Sequence, residues 1–244
     1  MGKDNGYVSS IQTLGAVDGP GVRFVVFMQG CPLKCVCCHN PETQSLTGGT
    51  LYSAKEIAEK AKRYKEYFGD TGGITLSGGD PLCQPEFAAE ILRLCKENGI
   101  NTCLDTSGYI LNDKVKEILK YTDLILLDIK YTDEDSYMKY AGCKLSAVME
   151  FLEVIEEKQI PVWIRQVTIP TLNDNAQNIN ALREITGRYK CIKKTELLPF
   201  KKLCEMKYEN LGRPFPLKDI PEPTPAKMQE LNNILYQYNP KKET

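Results

Sequence analysis

The stretch Gly30-Cys31-Pro32-Leu33-Lys34-Cys35-Val36-Cys37-Cys38-His39-Asn40 places four of the chain's ten cysteines within eight residues. Three of them, Cys31, Cys35 and Cys38, are spaced C-x3-C-x2-C. Thiolates are soft ligands that suit iron–sulfur clusters and zinc. Three thiolates on one short loop can hold three irons of a four-iron cube, and the fourth iron is then open to a ligand from outside the chain. A protein that only carries electrons normally brings its fourth cysteine. Other readings of the same residues are weaker. Zinc needs a fourth Cys or His nearby, and Cys37 and His39, adjacent to Cys38, are awkwardly placed to close one tetrahedron. Free cysteines also pack as small apolar groups, but three at this spacing is an improbable accident. Disulfides need an oxidising compartment, to which nothing in the chain points.

Working outward from this loop, Gly21 to Gln29 reads as a buried strand, a short apolar run bounded by glycine that delivers the chain into the cysteines. Ser53 followed by Glu56 is a capping-box pattern that opens a helix reaching about Phe68. Gly72 to Ser77 is a second strand, with a helix from Pro85 to Asn98. Asn101 to Asp105 is a third strand, with a helix from Lys114 to Lys120. Leu124 to Asp128 is a fourth, followed by short helices over 133–141 and 145–158. Pro161 to Ile169 is a fifth strand before a helix over Asn175 to Arg188, and Thr195 to Leu198 is a sixth. A loop rich in Lys and Pro leads to a last helix over 225–237. About six residues at the N-terminus and five at the C-terminus are expected to be flexible. Strand and helix alternate six times, which argues for an α/β fold with a parallel sheet and helices outside it. Six units fall short of the eight of a closed barrel.

The run Asp18-Gly-Pro-Gly-Val-Arg23-Phe-Val-Val-Phe27-Met-Gln-Gly30-Cys31 continues into Cys38-His39-Asn40-Pro41. These residues resemble the glycyl-radical-enzyme activating enzymes of the radical S-adenosylmethionine (SAM) superfamily, and later motifs extend the resemblance from about residue 7 to about residue 238. The resemblance implies an open, partial (β/α)6 TIM-type barrel forming a single domain over residues 1–244. It implies one [4Fe–4S] cluster on Cys31, Cys35 and Cys38. SAM would chelate the open iron through its amino and carboxylate groups, and one electron from a flavodoxin or ferredoxin would lead to its cleavage. The resulting 5′-deoxyadenosyl radical would take a hydrogen from a glycine of a glycyl radical enzyme of the pyruvate formate-lyase type.

Further positions carry over from the same family. Ser77-Gly78-Gly79-Asp80-Pro81 matches a Gly-Gly-Glu motif that contacts the SAM amino group. Asp80 stands where Glu is usual and reaches one methylene less, so its contact is expected to be indirect. A tight strand-to-helix turn is the plainer reading of these glycines. Asp105-Thr106 and Asp128-Ile129-Lys130 end strands three and four and would face the cofactor. Asp105 and Asp128 are candidates to hold a monovalent cation, and Lys130 to sit near the same ligand; a structural Asp–Lys pair is the alternative. Arg165 is a candidate carboxylate partner or a barrel-mouth salt bridge. Lys201 follows Pro199-Phe200 where the family has a histidine beside the cofactor. Cys37 replaces an aromatic that packs near the adenine; it would pack there in turn, or act as a spare thiolate that competes for iron. His39, the only histidine, and Asn40 are read as shaping the cluster loop.

Composition narrows the alternatives. A formal net charge of −1 favours neither nucleic acid nor an anionic membrane. No apolar run approaches a bilayer span, and the first residues lack the apolar core of a signal peptide. Ten cysteines without such a signal argue for a reducing, cytoplasmic location. A single histidine excludes a two-histidine metal site. Rival readings are an activase of a different glycyl radical enzyme, a radical enzyme acting on a small molecule such as a deazapurine precursor, an iron–sulfur electron carrier or scaffold, and a zinc module.

Overall fold

A computed structural model describes residues 4–236. Eight strands form one sheet: β1 (Asn5–Gly15), β2 (Arg23–Met28), β3 (Thr50–Ser53), β4 (Gly73–Gly78), β5 (Asn101–Thr106), β6 (Leu124–Asp128), β7 (Val162–Thr168) and β8 (Ile192–Pro199). Their order is β3-β1-β2-β4-β5-β6-β7-β8. From β2 to β8 every neighbour is parallel. These are the six strands expected from sequence, in the expected order. β1 and β3 were not expected; they extend the sheet antiparallel beyond β2. Asn5 and Gly6, placed by the sequence reading in a flexible end, pair with Ser53 and Tyr52. The five C-terminal residues lie outside the described residues.

Helices α1 (Ala54–Lys62), α2 (Pro85–Glu97), α3 (Asp113–Leu119), α4 (Glu134–Tyr140), α5 (Leu145–Lys158), α6 (Ala176–Thr186), α7 (Glu205–Asn210) and α8 (Pro225–Leu235) complete the chain. The capping box at α1 is formed: Glu56 N donates to Ser53 Oγ at 3.1 Å and Ser53 N to Glu56 Oε2 at 2.7 Å. The helix stops at Lys62 and a 3-10 turn, Lys65–Tyr67, covers the rest of the predicted span. α7 was not expected.

The period of two along each strand sorts side chains between two layers. Phe24, Val26, Met28, Ile74, Leu76, Leu104, Ile125, Leu127, Val162 and Ile164 pack outward with the helices in the main core. The alternate positions face inward. Low on that inner face lie Cys103, Leu124 and Leu126 with Trp163 against them. Higher up, at the C-terminal strand ends, the same face carries Ser77, Asp105, Asp128 and Arg165. Polar side chains are concentrated where the sheet is open, which is where sites sit in (β/α) architectures.

Candidate active site at the open end of the sheet

The cysteine loop leaves β2 through Gly30, whose φ of +102° is a left-handed value that favours glycine. Gly30 N donates to Thr43 O at 2.8 Å, and Asp80 N donates to Gly30 O at 2.9 Å. The loops after β2 and β4 are thus tied side by side. Gly79 has to be glycine for that: a Cβ there would lie 2.3 Å from Gly30 O. Further along, Lys34 N and Val36 N donate to Ala141 O and Tyr140 O at the end of α4, at 3.0 and 2.9 Å. Cys38 N turns back to Cys35 O at 3.1 Å. His39 Nε2 donates to Lys201 O at 3.1 Å, and Asn40 Oδ1 accepts from Lys207 at 2.8 Å. These two bonds tie His39 and Asn40 to the segment that follows β8.

One cavity of about 380 Å³ opens against this loop, within the range of small-molecule sites. Cys31, Cys35, Cys37, Cys38, His39 and Asn40 line it from the loop after β2, and Gly78, Gly79, Asp80, Asp105, Asp128, Lys130 and Arg165 from the ends of β4 to β7 and the segments after them. Ile129 and Lys201 are not brought to it. Ile129 lies between Asp128 and Lys130, so strand parity turns it into the outer core, fully buried. The Lys201 side chain is exposed and paired with Glu222 at 2.7 Å; only its carbonyl meets the loop.

Burial pushes the thiols up, Cys37 to about 12 and Cys38 to about 11, and raises Cys31 and Cys35 as well. Without metal these are neutral thiols; a metal binds the thiolate and releases the proton. Among the described residues no three Cys, His, Asp or Glu side chains converge as they would on a single ion. A cube takes each thiolate on a different iron, so its ligands need not converge. Three thiols lining a cavity of this size, together with glycine backbone, fit that group.

Asp80 is almost fully buried and spends its carboxylate on the protein. Oδ1 accepts from Leu82 N at 3.0 Å and Thr106 Oγ1 at 2.8 Å. Oδ2 accepts from Ser107 N at 3.0 Å and Ser107 Oγ at 2.6 Å. Three of these bonds, from Thr106 and Ser107, pin the end of β5 against the loop after β4, and the fourth, from Leu82, lies within that loop.

In the cavity lining, Arg165 bridges two carboxylates. Its Nη2 bonds Asp105, and Nε and Nη2 both lie 3.2 Å from Asp128 Oδ1. Lys130 Nζ binds Asp128 Oδ2 at 2.9 Å, and Ser77 Oγ donates to Asp105 Oδ2 at 2.7 Å. Where the sequence suggests a monovalent cation between the two aspartates, the structure puts the Arg165 guanidinium. Burial works against charge throughout this group. It raises Asp105 despite Arg165. Asp128 is nevertheless held below its ordinary value because Lys130 and Arg165 outweigh burial. Burial draws Lys130 down, but Asp128 outweighs it and holds the ammonium well above its ordinary value. Within this cluster two carboxylates balance two cations, and with Asp80 beside them the lining is strongly polar, suited to a zwitterionic ligand.

The sequence reading missed Asp18 as a site residue. It lines the cavity, and burial raises its carboxyl while Arg165 and Arg23 draw it down. The signal was a carboxylate directly before the Gly-Pro-Gly turn that feeds β2.

An open parallel sheet with a three-cysteine loop after its first parallel strand defines a radical SAM enzyme, and the model of the Radical SAM superfamily matches residues 25–181. The pyruvate formate-lyase-activating enzyme of Clostridium pasteurianum is 45% identical over 94% of this chain and 97% of its own. The pyruvate formate-lyase 1-activating enzyme of Escherichia coli (strain K12) is 34% identical over 97% of each. A crystal structure of a domain of the pyruvate-formate lyase-activating enzyme from Bacteroides vulgatus shares the fold, with a TM-score of 0.56 and 24% identity over 67% of this chain and 92% of that one. The chain belongs to the family of glycyl-radical-enzyme activating enzymes represented by these relatives. Its cofactors are a [4Fe–4S] cluster and SAM. No helix among the described residues is long and apolar enough to cross a membrane.

Proposed function

We propose that the chain is one radical SAM domain that installs the glycyl radical on a cytoplasmic glycyl radical enzyme of the pyruvate formate-lyase type, using flavodoxin or ferredoxin as electron donor. The observation that carries this reading is that Cys31, Cys35 and Cys38 line one cavity together with the glycine backbone after β4 and the network of Asp105, Asp128, Lys130 and Arg165. When bound, the cluster would supply one electron for cleavage of the SAM sulfonium bond, the chemistry that hydrogen removal from a glycine requires.

The chain's own residues hold and orient. Cys31, Cys35 and Cys38 are the three thiolate ligands. Gly78 and Gly79 present backbone that a ligand can approach without a Cβ in the way. Lys130 and Arg165 would bind the carboxylate of the SAM amino-acid moiety, and Asp105 and Asp128 its ammonium. Cys37 packs against the ligand as a polarizable apolar group. The sheet does not close on itself, and a lateral gap lets a large partner deliver a loop.

The test is anaerobic. Reconstituted protein carrying about four irons should release methionine on reduction and give pyruvate formate-lyase a glycyl signal in electron paramagnetic resonance. Alanine at Cys31, Cys35 or Cys38 should drop methionine release to background, whereas Cys37→Ala should retain cluster and cleavage. Cluster-loaded protein that releases no methionine overturns the proposal.

A further inference from the structure

The electron has to arrive from outside, and the cavity side is committed to SAM and a partner's loop. The cysteine loop also has an outer side. There Lys34 N and Val36 N are hydrogen-bonded to the carbonyls of Ala141 and Tyr140, and the Cys35 sulfur itself lies 3.9 Å from Ala141 O. The next residue, Gly142, is exposed, and a Cβ on it would stand 3.7 Å from the Lys34 Cβ. One carbonyl thus separates a surface backbone segment from a sulfur of the candidate ligand set.

The surface at this point is rich in lysine. Lys34, Lys139 and Lys144 are all exposed. Residues 32–36 and 138–145 contain these three lysines and no carboxylate. Lys139 lies over the Tyr140 ring at 4.9 Å, and the exposed Met138 adds apolar surface. Of the carboxylates at the start of α4, Glu134 is turned to Ser146, accepting from its N at 3.1 Å and its Oγ at 3.2 Å, while Asp135 is exposed one turn before Lys139. None of these lysines, nor Met138 or Gly142, lines the cavity. A protein docked here would sit against Cys35 without covering the site's mouth.

We propose that the Lys34–Lys139–Lys144 face is the docking surface for a small acidic one-electron carrier protein, which reduces the cluster through the Ala141–Cys35 contact. This inference rests on the function proposed above. The carrier is oxidised by one electron and the cluster reduced by one, with no group transferred. Charge-steered encounter gains on-rate at low salt and loses it as salt screens the patch.

The experiment uses the full-length, cluster-loaded protein and whichever of reduced flavodoxin and reduced ferredoxin reduces the wild type faster. Lys139→Glu/Lys144→Glu should lower the second-order rate of cluster reduction, read by absorbance, by about tenfold at low ionic strength. The gap should close at high salt. Reduction by dithionite, and methionine release under dithionite, should be unchanged. The neutral pair Lys139→Gln/Lys144→Gln should show a smaller loss in the same direction. Lys55→Glu/Lys62→Glu on α1 imposes the same net charge elsewhere and should leave the rate near wild type. Reversal variants that keep the wild-type rate and salt dependence overturn the proposal, as does a wild type that neither carrier reduces. Normal carrier rates with lost glycyl radical formation would assign the face to the large partner and overturn it too. Loss of dithionite-driven methionine release in the wild type would instead sink the parent reading.

Discussion

Two arginines stand on the inner face of the sheet, one at each end. Arg23, at the start of β2, is completely buried. It binds only neutral acceptors: Thr75 Oγ1 at 2.9 Å, Asn101 Oδ1 at 2.9 Å, Thr71 O at 3.2 Å and Ile74 O at 2.5 Å. Burial lowers its pKa, opposed by Cys103 and Asp123. Arg165, on β7, is held by two carboxylates at the edge of the cavity, with side-chain exposure of 13%. The first is a plug, a cation dissolved in fixed dipoles and closed off from ligands. The second is part of a polar wall facing open volume. The same residue type on the same face is structural at one end and available for binding at the other, and the deciding difference is whether its neighbours leave room.

Substituting the plug should give the largest effect. Arg23→Met leaves the Thr75 hydroxyl, the Asn101 amide and two carbonyls without their buried partner. A loss of about 3 kcal/mol in unfolding free energy is expected from several such orphaned groups, measured by urea denaturation. Methionine release per folded molecule should stay near wild type. A variant within about 1 kcal/mol of the wild type would break the contrast at its lower end.

Next comes Arg165→Lys. Lysine keeps the charge but lacks the fork that reaches Asp105 and Asp128 together. Methionine release at subsaturating SAM should fall by about thirtyfold, equivalent to about 2 kcal/mol in the transition-state barrier, with stability changed less than in Arg23→Met. Unfolding as severe as that of Arg23→Met, together with unimpaired cleavage, would make Arg165 a second plug.

How far this was legible follows from strand chemistry. β2, β4, β5 and β6 are buried on both faces, and runs such as Phe24-Val25-Val26-Phe27 and Leu124-Ile125-Leu126-Leu127 announce themselves without tertiary information. β1 does not. One of its faces meets solvent, its burial alternates, and Ser9, Ser10, Gln12 and Thr13 dilute the apolar signal. β3 was absorbed into the helix reading because Ser53 both ends the strand and caps α1. In the site, the cysteines and the glycine loop are contiguous motifs and could be read locally. Ile129 was carried along with its neighbours, although a period of two turns it away from them. That Arg165 would be gripped by both aspartates needs the register that sets Asp128 beside Arg165, which no single strand contains. Asp80 shows the opposite case: its short reach was visible, but its four partners come from two loops that meet only in the fold.

The smallest test sharpens the lower end by asking how much of it is charge. Asp123, just before β6, accepts from Thr102 N and Thr102 Oγ1, each at 2.9 Å, and pairs with Lys96 at 2.6 Å. Burial resists its ionisation, but Lys96 and Thr102 outweigh burial and hold the carboxyl below its ordinary value. A depressed carboxyl contributes stability that is fully present above its unfolded pKa of 3.8. That contribution is lost as pH falls through the lower folded value. Asp123→Asn should therefore cost about 1 kcal/mol at neutral pH, and the difference from wild type should shrink as urea denaturation is followed down through pH 3.8. A gap that stays constant across that range would mean that Asp123 acts through shape and neutral hydrogen bonding, and that the closed end of the sheet owes nothing to its carboxylate charge.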